Sequence, residues 1–224
     1  MFAKIINILL LLVICGACIY ISYFANYETF SINKWMLTSS TLSYPSQYYR
    51  LATAHFAHFN LGHLIENLIA LAAIWIIPRG TTAGSWIMKL IAFVMIGLAV
   101  SFGLIYCTNS LNSSIGYAGL SSILHGMLAF ELIILYFENK SQLALIVFIG
   151  LILKITLEYF FPDLSFHELL TGLYGNTLNF GNHYNGTIPF KSSIEGHILG
   201  VIAGIVLSIV LYLYKLICRP KIIK

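Results

Sequence analysis

The chain has 224 residues, of which 59% are hydrophobic and only 9% charged, and its mean hydropathy is +0.87. A soluble core of this size cannot absorb that apolar surplus, so composition excludes an ordinary water-soluble domain and points to an all-α, polytopic membrane protein. The net charge of +4 gathers near the C-terminus at Lys215, Arg219, Lys221 and Lys224, a pattern that reads as a headgroup anchor and implies no nucleic-acid partner.

With about 20 apolar residues needed for one crossing, the sequence predicts six helices over 4–24, 60–78, 86–106, 119–137, 142–161 and 196–217. They form a single domain over 1–224. The first run has a basic start, but Cys15 interrupts its aliphatic centre and Ile19-Tyr20-Ile21 carries the hydrophobicity past Gly16-Ala17-Cys18. It reads as an uncleaved helix rather than a signal peptide. Lys4, Arg79, Lys89, Lys140 and the basic tail fall on one side of the predicted bundle, and Lys34, Arg50 and Lys191 on the other. Both termini are therefore expected in the cytoplasm.

The long connections 25–59 and 162–195 then lie on the opposite side. Trp35, Tyr44, Tyr48 and Tyr49 suit the first to the membrane interface, while the second is rich in glycine and asparagine, including Gly172, Gly175, Asn176 and Gly181, and reads as a cap or a surface loop. The four cysteines, Cys15, Cys18, Cys107 and Cys218, build neither a disulfide framework nor a metal cluster. His167, Glu168, Asp163 and His183 lack close ligand spacing, and no His-Glu-x-x-His occurs. No metal or cofactor is expected.

Polar groups set into apolar helices usually face a protein interior or a water-filled cavity and mark function. His63 and Asn67, four apart, share a face near the outer end of the second predicted helix. Two such donors can converge on one oxygen as an oxyanion hole, or serve as interhelical hydrogen bonds. The fourth opens with Gly119-Leu120-Ser121-Ser122-Ile123-Leu124-His125-Gly126, and the sixth with Glu195-Gly196-His197, followed by Gly200 and Gly204. Small residues three and four apart allow close helix approach. Packing the fourth helix against the sixth would bring Ser121 within reach of His197, a serine–histidine pair without an acid.

His125, one turn below Ser121, is expected to pack beneath this pair or to hydrogen-bond His197 and set its tautomer; the alternative is a competing base. Lys154 and Glu158, also four apart, read as an intramembrane ion pair that Glu131 joins, or as a contact for a substrate end group. Glu66 is placed to orient an amide or a loop. His55 reads as a satisfied interfacial residue.

These residues resemble the rhomboid intramembrane serine proteases, and within them the bacterial rhombosortases. The resemblance rests on His58, His63 and Asn67 in the spacing His-x4-His-x3-Asn, on Gly119-Leu120-Ser121 with the following Leu-His125-Gly126, and on Gly196-His197-x-x-Gly200-x-x-x-Gly204. It implies a six-helix rhomboid-like fold with Ser121 as nucleophile, His197 as base and acid, and His63, Asn67 and the Ser121 N–H as oxyanion donors. Arg50 and His58 would be structural. It further implies substrates that carry a transmembrane helix and a C-terminal, glycine-containing sorting tail with a basic end, met in a bacterial inner membrane at a site opening away from the cytoplasm. One departure stands out: Ser122 follows the serine where the family usually has glycine, and the extra hydroxymethyl threatens to crowd the two helices. The rival readings are a catalytically silent helix binder and a small proton-coupled transporter.

Overall fold

A computed structural model describes residues 2–24, 32–59, 61–76, 85–110, 116–161 and 191–218. Most of the predicted outer loop, with Asp163, His167, Glu168 and His183, lies outside the described residues, as do Arg79 and 219–224.

The described chain runs α1 (Phe2–Ile19), a π-helical turn (Tyr20–Phe24), β1 (Leu37–Thr38), α2 (Arg50–Thr53), α3 (Leu61–Ile76), α4 (Trp86–Ser110), β2 (Gly116–Tyr117), α5 (Ser121–Asn139), α6 (Gln142–Phe160) and α7 (Lys191–Cys218). Among the described residues, five helices, α1, α4, α5, α6 and α7, are long and apolar enough to cross a bilayer. The remaining predicted span, 60–78, is described over the 16 residues of α3. Large apolar side chains such as Val13, Tyr106, Ile146 and Ile217 cover outward faces, as lipid contact requires.

The helix carrying Ser121 is the most enclosed. Of the five spans, α5 is buried over 56% of its length, α4 over 44% and the other three over 17% each, and α3, α4, α6 and α7 all pack on α5. Its closest partner is α7. A β-carbon on Gly200 would collide with the carbonyl oxygen of Ser122, and one on Gly204 with that of Gly126. A β-carbon on Gly126 would in turn lie 2.5 Å from the Gly200 oxygen. Lipid tails are as apolar as the helices, so close backbone packing of this kind is what drives association.

Helices α5 and α6 are joined by Lys140 and Ser141. Lys140 takes a left-handed conformation (φ 55°) and closes α5, while the Ser141 side chain accepts a hydrogen bond from the Ala144 N–H and opens α6. So short a turn makes the two helices antiparallel neighbours and brings the end of α6 level with the start of α5. The first connection is folded rather than extended. β1 pairs with β2 antiparallel, Leu37 opposite Tyr117 and Thr38 opposite Gly116, which fastens it just ahead of α5. Tyr44, Tyr48 and Tyr49 are exposed on it, in keeping with an interfacial segment.

Candidate active site

Ser121 stands at the first position of α5. Gly119, two residues before it, has φ +127°, a left-handed conformation that L side chains rarely adopt, and a β-carbon there would meet His63 Cε1 at 2.6 Å. Glycine is thus required twice, for the sharp turn into the helix and for the approach of the His63 ring. The turn is fixed by hydrogen bonds from the Gly119 N–H to the Ala54 carbonyl (2.9 Å) and from the Tyr117 hydroxyl to the Gly119 carbonyl (2.7 Å).

The α5–α7 packing sets His197 Nε2 2.9 Å from Ser121 Oγ, and the imidazole is only 8% exposed. On its other side His197 Nδ1 lies 3.3 Å from Glu158 Oε2. The second Glu158 oxygen accepts from Lys154 Nζ at 2.7 Å, and the same ammonium donates to His125 Nε2 at 2.9 Å. His125 Nδ1 donates to the Ser121 carbonyl at 2.7 Å, while the His125 ring stacks on that of His197 with centroids 4.1 Å apart.

Two expectations are corrected by this arrangement. His125 packs against the pair, one of its two expected roles, but the group that hydrogen-bonds His197 Nδ1 is Glu158, so the pair expected to lack an acid has a carboxylate behind it. Glu131 does not join Lys154 and Glu158: it lies 3.6 Å from Lys89 on α4, both groups almost fully buried, and Lys89 also donates to the Trp75 carbonyl. A further ion pair joins Lys215 of α7 to Glu138 of α5. Ligand atoms of His125, Glu158 and His197 lie within 4.8 Å of one another. The Lys154 ammonium is bonded to two of those three residues, however, and a positive charge at that point opposes a metal cation.

On α3, Asn67 is 4% exposed and its Nδ2 has no hydrogen-bond partner among the described residues. A buried amide donor without a partner is costly, which leaves it available to an acceptor that arrives later. The His63 ring stacks on Phe59 (5.9 Å) and meets His58 edge-on (5.0 Å). His58 Nδ1 is 3.0 Å from the Phe56 carbonyl and 3.1 Å from Ser22 Oγ, tying the π-helical turn after α1 to the first connection. Arg50 opens α2, half-buried, with its guanidinium 6.0 Å from the Tyr49 ring.

Ser122 is fully buried but faces away from this cluster. Its Oγ is 2.5 Å from where a β-carbon of Gly196 would stand, and it makes no hydrogen bond of normal geometry among the described residues. The hydroxymethyl crowds neither helix because residue 196 has no side chain.

His55 is not interfacial, as its sequence position suggested, but 2% exposed within the core, where Nε2 lies 3.0 Å from the Gly97 carbonyl and 2.9 Å from Ser101 Oγ, and Nδ1 3.3 Å from the Tyr117 hydroxyl. Burial pulls it from its ordinary value near 6.5 down to about 4. This network was missed from the sequence, where the one sign of it was Ser101, a hydroxyl deep in an apolar run.

The helices and the cluster define a polytopic membrane protein with a serine at the start of its central helix hydrogen-bonded to a buried histidine. The rhomboid domain model matches residues 45–214, most of the chain and all of the cluster, and the protein belongs to the rhomboid family. No curated protein matches the chain.

Proposed function

We propose that the protein is an intramembrane serine endopeptidase. The observation that carries this reading is the 2.9 Å contact between Ser121 Oγ and His197 Nε2 inside a rhomboid domain. The Ser121 hydroxyl donates to Nε2, the geometry a general base needs. As Oγ attacks the scissile carbonyl carbon, its proton passes to His197. The C–N bond then breaks, the leaving amine takes that proton, and an acyl-serine remains. Water, deprotonated by His197, releases the acid, or an amine takes the acyl group. Negative charge on the tetrahedral oxygen is met by Asn67 Nδ2, the His63 imidazole and the Ser121 N–H, with the N-terminal dipole of α5 adding to the same field.

The substrate would be a membrane-anchored protein whose transmembrane helix unwinds near glycine or another small residue. The motifs shared with rhombosortases favour a C-terminal sorting tail. The asymmetry of basic residues supports cytoplasmic termini, with the site opening to the outer side of a bacterial inner membrane.

A fluorophosphonate probe tests the reading. Wild type and Ser122→Ala are expected to label, Ser121→Ala and His197→Ala are not, and Asn67→Ala should lose about 10²–10³-fold in rate. Labelling that survives in folded Ser121→Ala refutes the assignment.

A further inference from the structure

Glu158 and Lys154 fall outside the serine–histidine pair, yet their contacts return to it. From Ser121 Oγ the bonds run to His197 Nε2 (2.9 Å), from His197 Nδ1 to Glu158 Oε2 (3.3 Å), from Glu158 Oε1 to Lys154 Nζ (2.7 Å), from Lys154 Nζ to His125 Nε2 (2.9 Å), and from His125 Nδ1 to the Ser121 carbonyl (2.7 Å). The circuit is closed. It also has a single consistent polarity. A carbonyl only accepts, so His125 Nδ1 carries the proton and Nε2 offers its lone pair to an ammonium that only donates. Each carboxylate oxygen then takes one donor, Lys154 on one side and His197 Nδ1–H on the other. With its proton held at Nδ1, His197 has a lone pair at Nε2 facing the serine, the tautomer that general-base attack requires.

We infer that Glu158 is the third member of the catalytic unit, a positioning residue that fixes the tautomer and orientation of His197 through Nδ1, and that Lys154 holds it there by occupying its other oxygen. The inference rests on the serine–histidine reading. Its chemical core is the count of acceptors. A carboxylate has two acceptor oxygens for its two donors, whereas a glutamine amide has one. In Glu158→Gln the stronger donor, the Lys154 ammonium, takes that oxygen and the amide NH2 turns to His197. Nδ1 must then accept, the proton moves to Nε2, and the lone pair facing Ser121 is lost. Removing Lys154 as well frees the amide oxygen for His197. The second substitution therefore repairs the first, an effect that a merely structural ion pair does not produce.

The groups facing His197 are Ser121 and His125 from α5 and Lys154 and Glu158 from α6; the Lys89–Glu131 pair stands apart from them. The test measures inactivation of the full-length protein in detergent by an alkyl fluorophosphonate, separating the maximal rate from the apparent probe affinity, with a melting temperature for each variant. Ser121 Oγ bonds to phosphorus, fluoride leaves, and the serine proton passes to His197.

Glu158→Gln is expected to lower the maximal rate by about 10²–10⁴-fold with probe affinity unchanged. Lys154→Met alone should stay within about tenfold of wild type, since the carboxylate still reaches His197. The double variant Glu158→Gln, Lys154→Met should recover at least about tenfold over Glu158→Gln. Labelling that requires Ser121 and His197 but proceeds at the wild-type rate in Glu158→Gln overturns the inference and leaves the serine–histidine reading intact. A double variant no faster than Glu158→Gln also overturns it. Labelling that persists in Ser121→Ala defeats the underlying reading instead. If the amide variant does not fold, Glu158→Asp decides: drawing the carboxylate back by one methylene should cost at least about tenfold in maximal rate, and an unchanged rate overturns the inference.

Discussion

Ser122 shows how one departure from a family pattern is accommodated by a neighbour. Where the family pattern usually has glycine, the hydroxymethyl occupies space that Gly196 leaves open, with its oxygen 2.5 Å from the position a β-carbon there would take. The two residues form one steric unit, so their substitutions should not add. Gly196→Ala alone is expected to destabilise by about 1–3 kcal/mol through overpacking. Ser122→Ala should be neutral or mildly stabilising, because it removes a buried hydroxyl without a normal hydrogen bond. The double variant should recover about 1 kcal/mol or more of the Gly196→Ala loss, as a double-mutant cycle in detergent would measure. Ser122 was legible as a departure in the sequence, but its resolution was not, since which face of α5 meets Gly196 depends on the rotation of two helices about their axes. Glu158 was hidden for the same reason: its spacing from Lys154 was plain, its reach to His197 was not.

At the scale of elements, the seam between α5 and α7 was readable because it depends on short-range spacing. Gly200 and Gly204 lie one turn apart, and the structure sets each against a backbone oxygen of α5. A carbonyl cannot swing aside as a side chain can, so an added methyl must push the helices apart. The site feels this unequally, because Gly200 is one turn from His197 and Gly204 two. Gly204→Ala is expected to lower the melting temperature, and Gly200→Ala to lower it and also cut fluorophosphonate labelling by about 10²-fold, the order lost when reacting groups shift by about 1 Å. Gly150 of α6 is the control: nothing among the described residues lies within 4 Å of its missing β-carbon, and alanine there should weaken neither property. The two-strand clamp of β1 on β2 escaped the sequence reading because ladders of two residues carry no detectable period-two pattern.

For the molecule as a whole, the junction of the first connection, α4 and the turn into α5 runs through His55, which contacts the Gly97 carbonyl, Ser101 Oγ and the Tyr117 hydroxyl. Ser101 passes the connection on to the Leu51 carbonyl (2.8 Å), and Tyr117 passes it to Gly119. The Gly97 carbonyl only accepts, so Nε2 carries a proton, and burial favours the neutral ring. Burial lowers the His55 value from near 6.5 to about 4 in the folded protein, and burial together with the neighbouring His63 lowers that of His58 as well. Between those two values the unfolded chain binds a proton at position 55 that the folded chain does not, so stability is complete above about pH 6.5 and falls as the pH drops toward 4. The melting temperature in detergent should therefore be lower at about pH 4.5 than at about pH 7. His55→Gln, which keeps polar atoms but cannot titrate, should melt lower at neutral pH and show a shallower decline on acidification. A decline equally steep in that variant would place the acid sensitivity outside this junction, and with it the view that one buried histidine holds the first connection against the start of the central helix.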